Sequence, residues 1–127
     1  MVTKLSKIPM YGLNLHTVIT EDFMSDIAEI NKKYHNNFTE QDNVLGFSQH
    51  RMGSTLVVIN VGKHKRIFKK NFEVELIATI AHEAVHACNT MFNAIGAKLD
   101  SDNDEPQAYL VDHIVKEIYR AYLKHKG

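Results

Sequence analysis

Tryptophan is absent from this chain, proline occurs twice and cysteine once. The lone cysteine, Cys88, excludes an internal disulfide and suits a reducing compartment. Neither sign of charge is in excess. Lys and Arg number 15, Asp and Glu number 15, and the formal net charge is zero. No overall field therefore draws the chain to nucleic acid or to an acidic membrane, and neither is an expected partner. No apolar run approaches the roughly 20 residues needed to span a bilayer. Residues 1–10 lack the apolar core of a signal peptide, which makes the cytoplasm the expected location. There is no internal repeat and no low-complexity linker. Nothing here bears on oligomeric state.

What remains is the composition of an ordinary globular domain, 44% hydrophobic and 24% charged. A chain of 127 residues reads as a single domain over 1–127. Such a chain can bury about two-thirds of its unfolded surface.

Against that background one stretch stands out, His82-Glu83-Ala84-Val85-His86. It has the His-Glu-x-x-His form of a zinc-hydrolase helix. Residues four apart lie one turn apart on the same helix face, so both imidazoles can aim at one metal ion. Glu83 would then reach a water held by that metal and act as its general base. With 8 His and 8 Glu in 127 residues, chance yields about 0.03 such matches. The surrounding pattern predicts a helix over 72–95. Val74, Ile77, Ala81, Ala84, Val85, Cys88, Met91, Phe92 and Ile95 recur at spacings of three and four and form its expected core stripe. Asn71 is the expected N-cap and Gly96 the stop. Cys88 lies about 200° around the helix from His86, so it reads as a buried thiol rather than a ligand.

Upstream, alternation predicts a first strand over 13–19. Thr20 as N-cap, followed by Phe23, Ile27, Ile30 and Tyr34, predicts a helix over 21–35. Two strands follow at 44–51 and 55–61 as a hairpin, the second apolar on both faces and hence central in its sheet. Gly62 is expected to close that strand, and the basic run 63–70 to be a solvated loop. A last helix is expected over 105–123, with Ala108, Val111, Val115, Ile118 and Tyr122 as its apolar stripe. The acidic loop 100–105 fails as a calcium loop, because its sixth position is Glu105 rather than Gly and its twelfth is Val111.

Catalytic zinc usually takes three protein ligands and leaves one place for water. Glu105, which opens the helix after the motif, is the candidate third ligand, and His113 and Asp104 are its competitors. Tyr109 and Asp112 lie within about 40° of Glu105 on the helical wheel. Tyr109 is a candidate donor to an oxyanion. Asp112 is a candidate to orient a ligating histidine.

The segments His82-Glu83-Ala84-Val85-His86-Ala87 and Asp104-Glu105-Pro106-Gln107-Ala108-Tyr109 resemble those of small metallopeptidase-like proteins common in phage and prophage genomes. More broadly they are similar to gluzincin-type zinc peptidases. The likeness covers about residues 77–114. It implies that His82, His86 and Glu105 bind zinc and that Glu83 is the general base. It also implies a peptide or protein substrate, and a host-cytoplasm location if the chain is phage-encoded. The expected fold is α+β. A small, mainly antiparallel sheet in β-α-β-β order would pack on a C-terminal two-helix zinc scaffold, a minimal zincin-like arrangement. A non-catalytic, zinc-stabilised module that binds a host or partner protein is the alternative.

Overall fold

The computed structural model describes residues 1–9, 11–51 and 53–127. The fold is α+β, and its sheet is mixed. Strands β1 (Val2–Ile8), β2 (Leu13–Thr20), β3 (Gly46–Arg51) and β4 (Ser54–Asn60) lie in the order β1-β2-β4-β3. The outer pairs are antiparallel, while β2 and β4 run parallel at the centre. The expected antiparallel β-α-β-β sheet is corrected on two counts: a further strand precedes it, and its two central strands are parallel. Parallel neighbours require a crossover. The segment after β2, which includes helix α1 (Phe23–Tyr34), supplies it.

β1 escaped detection for a physical reason. Its inward face carries Lys4 and Ser6, and both donate to Glu117 of the last helix. Polar residues at inward positions erase the alternation that marks a strand.

Asp22, not Thr20, caps α1. Its carboxylate accepts from the Ser25 N–H at 3.3 Å. The Thr20 hydroxyl donates instead to Asp26 at 2.6 Å. The basic run expected to be a loop forms helix α2 (Val61–Phe68). Asn60 ends β4 and caps this helix, accepting from the Lys63 N–H at 3.1 Å. Gly62 therefore does not stop the strand. A Cβ there would lie 1.7 Å from the Glu21 carbonyl oxygen, so close backbone approach is what demands glycine.

Two long helices complete the fold, α3 (Phe72–Ala94) and α4 (Glu105–Lys126). They cover one face of the sheet, against Leu13, Leu15, Ile19, Val57 and Ile59. α1 packs Phe23 and Ile30 on the other face, against Val18, Leu56 and Val58. The expected core stripe of α3 is only half right. Ala84, Cys88, Met91 and Phe92 are buried, together with Leu76, Ile80 and Ala87. Val74, Ile77, Val85 and Ile95 are exposed, Val74 by 72%. α3 is apolar around most of its circumference, so periodicity alone did not choose the buried side. In α4 the buried face centres on Leu110, Ile114, Ile118 and Tyr122, and Ala108 faces solvent. Among the described residues, no helix is long and apolar enough to cross a membrane.

Candidate functional site

The His-Glu-x-x-His stretch lies in the middle of α3, as its periodicity requires. His82 and His86 are exposed, and their rings converge. The two Nε2 atoms are 3.1 Å apart and the ring centroids 4.7 Å. Two nitrogens bound to one tetrahedral zinc at about 2.0–2.1 Å would be about 3.3–3.4 Å apart. The imidazole pair thus has close to the spacing that a shared metal ion demands.

Glu83 points a different way. It is 5% exposed, tucked between α3 and the edge strand β3. Gly46 permits this approach. A Cβ on Gly46 would lie 2.9 Å from Thr79 Cγ2 and 3.3 Å from Glu83 Cγ. Burial raises the Glu83 pKa, against the opposing pull of His82, His86 and the Ser48 hydroxyl. Its Oε1 is buried and, among the described residues, has no hydrogen-bond partner. An unpaired buried carboxylate oxygen calls for an explanation, and beside two convergent imidazoles a functional role is a candidate one.

A groove of about 610 Å³ opens at this point. Residues 44–46, Lys63 and Ile67 of α2, and Glu75 and Thr79 of α3 wall it, and it reaches His82 and Glu83. The α2 wall is pinned by fully buried His64. The Asn60 carbonyl can only accept, so His64 Nδ1–H donates to it at 2.7 Å. Nε2 of the neutral ring then accepts from the Thr79 hydroxyl at 2.8 Å. Burial lowers the His64 pKa, in keeping with a neutral ring.

The third ligand expected from the sequence is not brought to this pair. Among the described residues, no group of three or more His, Cys, Asp or Glu gathers where it could hold a metal. The reason lies in how α4 crosses α3. Buried Cys88 contacts the Gln107 carbonyl at 3.8 Å. The start of α4 therefore packs on the Cys88 flank, about 200° around α3 from His86. Glu105 is exposed there and lines a separate cavity of about 570 Å³ with Tyr109 and His113. Tyr109 is 69% exposed, so the expected oxyanion donor also lies on that flank. His113 Nε2 is buried and, among the described residues, unpartnered. Asp104 is exposed in a different depression, beside Asp112. Asp112 itself faces Lys116 at 3.6 Å rather than a histidine.

Gly46, Ser48, His64 and Thr79 were missed as parts of the site. Only Gly46 carried a signal, because a glycine at a strand end often marks close backbone approach. The chain was compared with family models, with curated proteins and with solved structures, and it matches none of them.

Proposed function

We propose that this chain is a zinc-dependent hydrolase, and specifically a peptidase. The observation that carries the reading is the 3.1 Å convergence of His82 and His86 Nε2 beside the buried, half-unpartnered Glu83 carboxylate. His82 and His86 would hold the metal. Zinc bound there would polarise a carbonyl and acidify a coordinated water. Glu83 would take the proton from the attacking water, a role that suits a carboxylate whose pKa is raised by burial. The edge strand β3 has one side unpaired within the sheet. An extended peptide could add to that side by main-chain hydrogen bonds and so lie above α3. With two protein ligands in place of the usual three, water and substrate would complete the coordination, and the metal would be held more loosely.

The test is a peptide-library digest by zinc-loaded wild type and by Glu83→Gln. Loss of the general base should slow cleavage about 10²–10⁴-fold while zinc content stays unchanged. Equal product patterns from the two proteins would remove Glu83 from the mechanism.

One observation favours a second reading, a non-catalytic, zinc-stabilised module that binds a host or partner protein. Val74, Ile77 and Val85 form an exposed apolar stripe on the same helix as the histidine pair. Zinc-dependent protein capture that Val85→Asp abolishes, with no digestion by either protein, would select this reading.

A further inference from the structure

The other face of the sheet is covered only in part. α1 stops at Tyr34, where His35 adopts a left-handed conformation (φ 55) and turns the chain away. Register places two further rows of side chains on this face. Leu5, His16, Leu56 and Gln49 form one, and Lys7, Asn14, Ser54 and Arg51 the next. Leu5 is 54% exposed. A cavity of about 250 Å³ opens where α1 ends. Its walls include Lys33, His16, Arg51, Gln49 and Ser54, and among the described residues no Asp or Glu lines it.

Lys4, Lys65, Lys116, Arg120 and Lys126 each face a carboxylate. Lys33 instead donates to the Thr3 hydroxyl at 2.8 Å, and Arg51 Nη1 donates to the His35 carbonyl at 2.6 Å. Both partners are neutral, so neither charge is cancelled, and Lys33 and Arg51 both line the cavity. Among the described residues, no other acceptor engages the remaining ammonium and guanidinium protons. Burial, and then the nearby Lys33 charge, lowers the His16 pKa, so His16 serves as a neutral hydrogen-bonding wall. It meets the Tyr34 ring edge-on at 5.4 Å between centroids.

We propose that this pocket binds a small phosphate monoester, with Lys33 and Arg51 on the phosphate oxygens and Ser54 and Gln49 as neutral donors. Two cations match a dianion. The planar guanidinium fork suits two phosphate oxygens at once. The Tyr34 ring offers a surface to the group that carries the phosphate. A volume of about 250 Å³ falls just below the ~300–1,000 Å³ of drug-sized ligand sites, so the ligand is small. The site is on the opposite side of the sheet from α3, and it stands or falls independently of the zinc reading.

The experiment is an amide-resolved NMR titration of the full chain with inorganic phosphate and with a nucleoside 5′-monophosphate. Shifts should concentrate at His16, Gln49 and Ser54. Lys33→Gln and Arg51→Gln should each weaken binding about tenfold or more, the scale of one charge-assisted hydrogen bond. Lys69→Gln, a cation away from the cavity, should leave binding unchanged. Shifts from the monophosphate alone, abolished by the same two variants, also support the site and name an organic phosphate as its ligand. No shift from either anion at tens of millimolar overturns the proposal. So does equal weakening by Lys69→Gln, which would reveal a response to overall charge. Tighter binding of a short single-stranded oligonucleotide than of the mononucleotide overturns the small-ligand assignment.

Discussion

Removing the Glu117 carboxylate should change how stability depends on pH more than it changes the fold. Glu117 lies on the inner face of α4 and is 8% exposed. It accepts from Lys4 and from Ser6 of β1, the latter at 3.0 Å, and from Arg120 at 2.6 Å. Burial alone would raise its pKa, but these bonds and the Lys4 charge outweigh burial and hold it at about 2, against 4.5 when unperturbed. The unfolded chain therefore takes up this proton first as pH falls. Stability from Glu117 is fully present above about pH 4.5 and is lost as pH falls through about 2. At about 1.4 kcal/mol per pH unit, the difference between 4.5 and about 2 corresponds to about 3 kcal/mol. In Glu117→Gln this component should vanish, while shape and most packing remain. Urea unfolding followed by circular dichroism, at several pH values between 7 and 2, would measure it. Wild type should start about 3 kcal/mol more stable than the variant at pH 7 and converge with it near pH 2. Other acids titrate in both proteins and cancel in the difference. A constant gap across the whole range would refute the reasoning, because the bonds would then be insensitive to the charge on Glu117.

Three other outcomes follow from the same structure. Elemental analysis should find one zinc per chain, which His82→Ala and His86→Ala should each abolish, whereas Glu105→Gln, on the far flank of α3, should leave zinc affinity within about tenfold. A larger loss in Glu105→Gln would return that residue to the metal. Gly62→Ala should destabilise the protein by about 3 kcal/mol, because its Cβ would meet the Glu21 backbone at 1.7 Å. Its melting midpoint should fall by about 10 °C, and an unchanged midpoint would show that α2 shifts freely. Gly46→Ala should press β3 away from Thr79 and Glu83, slowing peptide cleavage about 10–100-fold at the same zinc content. Unaltered cleavage would mean that β3 does not position the substrate.

Much of the local structure was legible in the sequence. The helix spanning the motif, the apolar strand β4, the helix after β2 and the last helix all carry strong period or composition signals, and each lies within a few residues of expectation. So did the convergence of His82 and His86, because a spacing of four on one helix is a local property. What escaped depended on partners far along the chain. β1 is a strand whose inward Lys4 and Ser6 answer to Glu117, more than a hundred residues away, so its alternation is invisible without α4. Gly62 reads as a strand stop until Glu21 is seen against it. The buried side of α3 had two apolar candidates, and only the positions of the sheet and α4 chose between them. The third ligand depended on the crossing of α3 and α4. A helical wheel gives the direction of Glu105 around its own axis but not which flank of α3 that axis meets. Local periodicity determined which residues can act together within one helix. The crossing of two helices, set by the packing of Cys88 against Gln107 and of α4 against β1, decided which residues from different helices can.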